Sequence, residues 1–459
     1  MKALKRTFWF LILPLIFLLT LLSFIGLTPT YLLNAPAVAS GIGAKLLCSA
    51  RYVSGFTPAQ AKSDLIQYSP ILEYLSISYD DENRQVTTSL QGLAETTASY
   101  RNGIGCYTEF SGYTARAEYE HSPLTPSPAS WPAGNHVDTI QPAWQRLTDS
   151  IVSSDNEQGL NTRALLVVHN GDIVAESYAQ QTDTETPLLG WSMAKSLSSI
   201  MSGNLVYTGR LQEDIQPVFA EWADDERQQI TLQHLLTMTD GLSFIEDYSP
   251  GDDVTKMLFT GPAASDYAVS RPLLHEPGSH FHYSSGTATL LSRLYFLNTG
   301  ASLESSLAAY RQDIARPLGF QHAVFEPDAA GVPVGSSYFF APARDWARLG
   351  QLMLNKGTIN GTRVVSEDWI EKSLQPGPAG NTSSYGYQWW LNTGGADKRW
   401  PSLPETTFSA TGNRQQFMMM VPSENLIVVR LGWTSGQYPT DETVSRLLPE
   451  NVLPLNELK

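Results

Sequence analysis

The sequence predicts an α/β chain of the α+β kind: one antiparallel sheet flanked by helices, with a helical subdomain inserted between its strands. Two hairpin signals and the stretch between them carry that expectation. The first joins residues 164–169 and 173–178 through Asn170-Gly171-Asp172. Asn-Gly between two apolar runs is a strong hairpin signal. The second lies near the other end, where Gln416-Phe417-Met418-Met419-Met420-Val421 and Leu426-Ile427-Val428-Val429-Arg430-Leu431 bracket Pro422-Ser423-Glu424-Asn425. Between them, residues 232–236 and 343–354 have the spacing of amphipathic helices. Hairpins at both ends with helices between them imply a sheet joined from both termini.

The bulk properties bound the function. A chain of 459 residues is long enough for one large domain plus additional segments. Hydrophobic content of 42% with 10% aromatics is that of a packed globular protein. The net charge of -15, with no basic cluster in the globular part, excludes nucleic acid as a partner.

Taken in order, the chain begins with Lys2, Lys5 and Arg6 before an uncharged apolar run at 8–27. A basic flank followed by an apolar core is an export or anchor pattern, with the positive end left in the cytoplasm. The run has membrane-spanning length, and the triplet Ala37-Val38-Ala39 beyond it has the look of a cleavage site. Residues 1–29 are therefore expected to be a membrane anchor or a signal segment, placing the rest in the periplasm or outside the cell. Residues 30–120 form a small accessory region holding both cysteines, Cys48 and Cys106, and a hairpin with its turn at Asp80-Asp81-Glu82-Asn83. In an exported protein such a pair is expected to be a disulfide. Two cysteines do not make a tetrahedral zinc site, and His280 and His282 have no third ligand nearby in sequence. No metal and no cofactor is expected. Residues 121–135, rich in proline and serine, mark a linker or a wrapping arm. The large domain spans 136–459.

Within that domain Ser192-Met193-Ala194-Lys195 carries the chemistry. A serine hydroxyl needs a base within hydrogen-bond reach. Residues three apart on a helix share a face, so Lys195 can aim its amine at Ser192. For this the lysine should be desolvated, because burial disfavours its charged form. The following Ser196-Leu197-Ser198-Ser199-Ile200-Met201-Ser202 is rich in small residues and uncharged, as suits a helix buried on most sides. The start of such a helix also offers backbone N–H groups to an oxyanion. Gly190-x-Ser192-x-Ala194 half-resembles the nucleophile elbow of α/β-hydrolases as well.

Three motifs in order decide between these. Ser192-x-x-Lys195 is followed by Tyr283-Ser284-Ser285, and then by Ala410-Thr411-Gly412. With Ile230-Thr-Leu-Gln-His-Leu-Leu-Thr-Met-Thr-Asp-Gly-Leu242 and Arg316-Pro-Leu-Gly319, residues 160–440 resemble the serine β-lactamase and penicillin-binding-protein superfamily. The resemblance is to its class C, esterase and carboxypeptidase-like branch, nearest the 6-aminohexanoate-dimer hydrolases. It implies a β-lactamase/transpeptidase-like fold and hydrolysis of a small-molecule ester or amide through an acyl-Ser192 intermediate. Lys195 and Tyr283 would share the serine proton, with the identity of the base left open, and Ser285 would bond Lys195 or the leaving group. The N–H groups of Ser192 and Asn413 would form the oxyanion hole. Thr411, Gly412 and Arg414 would line the substrate site. Ala410 departs from the family's Lys or His, a cation that commonly holds a substrate carboxylate; Arg414 is the candidate substitute. That departure weakens a low-activity β-lactamase or D-Ala-D-Ala carboxypeptidase reading. A non-catalytic membrane-anchored sensor is the remaining alternative. Glu276 and Asp240 read as structural turn residues, and the aromatic run from Tyr385 to Trp390 as sheet core or cleft wall.

Overall fold

A computed structural model describes residues 28–113, 118–119 and 127–453. The apolar run at 8–27 and the first part of the proline-rich stretch lie outside the described residues.

The N-terminal unit is built on helix α1, Pro29–Tyr52. Thr28 caps it by accepting a hydrogen bond from the Tyr31 N–H, and Pro29 fills the first turn, where a missing N–H costs nothing. Every residue from Val38 to Ser49 is buried. A helix buried on all sides is a core element. By length and mean hydropathy α1 could cross a membrane, yet 67% of its apolar window is buried inside the protein. The Ala37-Val38-Ala39 triplet is therefore part of a core helix. Gly41 shows how close the packing is: a Cβ there would lie 2.1 Å from the Phe259 carbonyl oxygen.

A short helix α2, Pro58–Tyr68, follows, and then a four-stranded antiparallel meander: β1, Leu75–Asp80; β2, Gln85–Leu90; β3, Glu95–Arg101; β4, Gly105–Thr108. The expected hairpin is β1–β2. The disulfide Cys48–Cys106 ties α1 to β4 with a Cα–Cα distance of 6.1 Å. Beside it, Lys45 pairs with Glu326 of the large domain and donates to the Cys106 carbonyl at 2.7 Å. The Cys106 N–H and the Ser49 hydroxyl complete the Glu326 carboxylate. Both charges are buried, so desolvation pushes the Lys45 amine down and the Glu326 carboxyl up, and the pairing opposes both shifts.

The accessory region thus does not stand apart. Val38, Leu47 and Leu65 belong to the same apolar cluster as Leu197, Trp346 and Val429. The described end of the proline-rich stretch wraps the large domain: Arg348 donates to the Pro132 and Gly134 carbonyls at 2.9 and 2.6 Å.

The large domain opens with α3, Pro142–Glu157, and the hairpin β5–β6, Thr162–His169 and Asp172–Tyr178. Its helical part includes α4, Met193–Tyr207, α5, Ser285–Asn298, and α6, Ala343–Leu354. Its last strands are β7, Trp390–Leu391; β8, Phe408–Gly412; β9, Gln416–Val421; and β10, Leu426–Gly432, before two short helices, Thr440–Arg446 and Pro449–Val452. These strands form one sheet in the order β7-β8-β9-β10-β5-β6, antiparallel throughout. Val428 of β10 faces Val167 of β5, so the sheet is closed from both ends of the domain, as the two hairpins imply. One face carries α3, with Trp144 packed among Val167 and Val428. The other carries α6, packed on β5, β9 and β10, and α4, packed on β8 and β9. In α4 every residue from Met193 to Leu205 is buried. Its small side chains permit this: a Cβ on Gly203 would meet the Trp369 indole at 2.4 Å.

The Lys45–Glu326 pair makes a stability prediction. Lys45→Met leaves a buried carboxylate without its cation and is expected to cost about 3–5 kcal/mol, whereas Lys45→Met with Glu326→Leu should recover most of it. Urea unfolding checks this; a loss below about 1 kcal/mol in the single variant contradicts a structural role for the pair.

Candidate active site

Ser192 occupies the N-cap of α4, and Lys195 stands one turn on. The Lys195 amine lies 2.9 Å from Ser192 Oγ, 3.2 Å from Ser285 Oγ and 3.1 Å from the Ser336 carbonyl oxygen. Three partners match the three donors of an ammonium group. Lys195 is 1% exposed, and burial lowers its pKa to about 8, against the opposing charge of Glu246.

Ser285 begins α5 and joins the lysine to an acid. Its N–H donates to Glu246 Oε2 at 2.8 Å, and its hydroxyl donates to Oε1. Burial pushes the Glu246 carboxyl up, while the Lys195 charge and the Ser285 hydrogen bonds pull it down. Tyr283 places its hydroxyl against Ser192 and its ring under the Lys195 amine, 4.8 Å from the centroid. Burial pushes the Tyr283 phenol well above its ordinary range, so it is protonated at neutral pH. The ring stacks on Trp390 at 5.4 Å, and Tyr385 stands edge-on to both. The Tyr385–Trp390 run is thus wall as well as core.

The end of β8 meets the turn that holds Ser192. A Cβ on Gly412 would lie 2.1 Å from the Gly190 carbonyl oxygen, so only glycine lets the two backbones touch. Thr411 and Gly412 are half-buried there, and Asn413 is exposed. The backbone on either side is held in the left-handed region at Trp191 (φ 50°), Arg414 (φ 61°) and Gln415 (φ 64°). Such positions cost of order 1–3 kcal/mol each and persist only where neighbours enforce them.

Ala410 is buried in the main core. Arg414 is directed at the N-terminal unit: its guanidinium donates to the Gln67 carbonyl at 2.8 Å and stacks over Tyr68 at 5.0 Å. Among the other sequence candidates, His282 bonds the Phe244 carbonyl at 2.8 Å and His280 packs on His275. Asp240 accepts from Thr287 and the Leu242 N–H, and Glu276 sits in an exposed turn. Among the described residues no group of three or more His, Cys, Asp or Glu is arranged to hold a metal.

Sequence reasoning missed Glu246, the Ser336 carbonyl, Tyr248, Tyr68 and Arg399. Tyr248 meets the Ser285 hydroxyl. Arg399 lies 4.0 Å over the Trp390 ring, close enough to Tyr283 to interact with it electrostatically. Glu246 and Tyr248 share one loop, Phe244-Ile245-Glu246-Asp247-Tyr248, where two adjacent acids set between apolar and aromatic residues are the available signal.

The comparisons with known proteins agree with this geometry. Residues 139–448 match the family model described as Beta-lactamase. The chain belongs to that family. It is a serine hydrolase of β-lactamase/transpeptidase-like fold. A 6-aminohexanoate-dimer hydrolase from Paenarthrobacter ureafaciens is 26% identical over 295 residues, covering 60% of this chain and 74% of that protein. A penicillin-binding-protein homologue from Caulobacter crescentus superposes with a TM-score of 0.52 at 16% identity, over 68% of this chain and 97% of the other. A family VIII carboxylesterase does so with a TM-score of 0.53 at 14% identity, over 68% and 99%. At these identities the two structures speak for the fold alone. The residues N-terminal to 139, including the whole of the α1 unit, lie outside the family match.

The contact between Gly412 and Gly190 is directly testable. Gly412→Ala is expected to push β8 off the Ser192 turn and slow covalent labelling of Ser192 by a fluorophosphonate about 100-fold, the scale of an ångström-sized misplacement. An unchanged labelling rate contradicts the close approach.

Proposed function

We propose that this protein hydrolyses a small ester or amide through an acyl-Ser192 intermediate, with Lys195 as the base. The observation that carries the reading is the buried Lys195 amine, 2.9 Å from Ser192 Oγ with its pKa lowered to about 8. Near neutrality part of the population is then an uncharged amine able to take a proton. Ser192 Oγ attacks the carbonyl carbon as its proton passes to Lys195. Collapse breaks the bond to the leaving group, which takes the proton back from Lys195, directly or relayed through the Tyr283 hydroxyl, so that the amine is neutral again. Water then repeats the sequence on the acyl-enzyme and releases the acid. Burial leaves Tyr283 protonated, so it relays a proton rather than serving as the resident base. Ser285 and Glu246 orient the amine, and the N–H groups of Ser192 and Asn413 receive the developing oxyanion.

Two outcomes follow. Ser192→Ala is expected to abolish turnover and fluorophosphonate labelling with the fold intact; labelling of that variant at the wild-type level would falsify the acyl-enzyme, and an unlabelled wild type would favour the non-catalytic sensor. In the wild type, kcat/KM should rise with pH along a base limb centred near 8, because the deprotonated amine is the active form. Lys195→Ala should lose at least about 100-fold.

Substrate choice rests on cations. Ala410 carries none, and Arg414 is turned onto Gln67 and Tyr68. A neutral p-nitrophenyl ester is therefore expected to be cleaved more than about tenfold better than benzylpenicillin, the worth of one charge-assisted hydrogen bond. Arg399 at the rim is the one observation that favours the second reading, a substrate bearing a carboxylate. Comparable rates on the two substrates, with the penicillin rate lost in Arg399→Ala, would establish that reading instead.

The basic-then-apolar start and the Cys48–Cys106 disulfide support a position outside the cytoplasm, held at a membrane through residues 8–27.

A further inference from the structure

The two backbone segments assigned to the oxyanion hole are buttressed by the N-terminal unit, which the family match does not cover. Trp191, the left-handed residue before Ser192, packs its indole on the Tyr68 ring at 5.9 Å and 30°. Arg414, the left-handed residue after Asn413, lays its guanidinium over the same Tyr68 ring at 5.0 Å and donates to the Gln67 carbonyl. Trp433 joins the cluster: its indole lies 6.0 Å from that of Trp191 and 5.6 Å from the Arg414 guanidinium, and its N–H donates to the Asp64 carbonyl at 2.8 Å. Asp64 in turn holds Arg163 of β5 at 2.5 Å. One residue of α2 therefore touches both strained neighbours of the two N–H donors, and the end of α2 is fixed to the sheet by independent bonds.

We propose that Tyr68 is a positioning residue for the oxyanion hole. Its flat ring holds Trp191 and Arg414 in left-handed backbone, and through them aims the Ser192 and Asn413 N–H groups at one point. The N-terminal unit then supports the catalytic machinery of the large domain through the end of α2. The proposal rests on the acyl-Ser192 reading. The ring, not the hydroxyl, does the holding, although the hydroxyl also faces the Asn413 side chain.

The test compares Tyr68→Phe and Tyr68→Ala in the full chain. Both are measured for kcat and KM on a p-nitrophenyl ester, for the rate of fluorophosphonate labelling, whose phosphoryl oxygen seeks the same N–H pair, and for thermal unfolding. Tyr68→Phe should stay within about threefold of wild type. Tyr68→Ala should lose tenfold or more in kcat and in labelling rate, with KM changed less than threefold. A structural role would instead lower the unfolding temperature without a kcat-specific loss. Should Tyr68→Ala fail to fold, Tyr68→Leu, which keeps apolar volume without a flat face, carries the same expectation. An active wild type beside an unchanged Tyr68→Ala overturns the positioning role alone. Equal damage from Phe and Ala overturns the ring as its agent. An unlabelled wild type overturns the acyl-enzyme reading, and this one with it.

Discussion

A lysine amine taken out of water beside a serine hydroxyl is the constraint on which the structure depends. To bury an amine is expensive, and the chain meets that cost with three oxygen partners, from Ser192, Ser285 and the Ser336 carbonyl. Each comes from a different element. Ser192 needs α4 to be buried on all sides, which needs the run of small residues from Ser196 to Gly203. Ser285 needs α5 to begin against α4, and Ser336 needs its loop to pass over both. The helical insertion is therefore shaped around one nitrogen atom, and the sheet supplies its floor through the touch of Gly412 on Gly190.

A second buried lysine does structural work in the same manner. Lys45 and Glu326 fasten α1 to the large domain beside the Cys48–Cys106 bond. The two lysines differ in their neighbours. Lys45 has a carboxylate in direct contact, whereas Lys195 feels the Glu246 charge from a distance and is linked to it by hydrogen bonds through Ser285. A direct ion pair favours the charged amine; an interposed hydroxyl leaves it closer to neutrality. That difference separates the Lys45 clamp from the base proposed for Lys195.

Much of this was legible in the sequence where the signal was local. Asn170-Gly171 and Pro422-Ser423-Glu424-Asn425 each marked a turn, and the amphipathic spacing at 343–354 marked α6, because periodicity and turn chemistry act over a few residues. The three motifs gave Ser192, Lys195, Tyr283 and Ser285, which the structure brings together. What escaped was tertiary. Residues 29–52 follow an apolar run and are themselves mostly apolar or small, with Lys45 and Arg51 as their charges, so periodicity alone does not mark them as a core helix. Glu246 reaches Ser285 across 39 positions of sequence. Tyr68 reaches Trp191 and Arg414 from a region outside the family match, with no motif to announce it. The Ser336 contact is a backbone carbonyl, which no residue type encodes.

The central claim is that burial keeps Lys195 ready to accept a proton, and it can be measured without any substrate. Lysines labelled with 13C at Cε report their own titration by NMR, and the Lys195 signal is assigned by its loss in Lys195→Arg. The account predicts a midpoint near 8, well below the ordinary value of 10.5. A Lys195 signal that remains that of a charged amine up to pH 10 would contradict it.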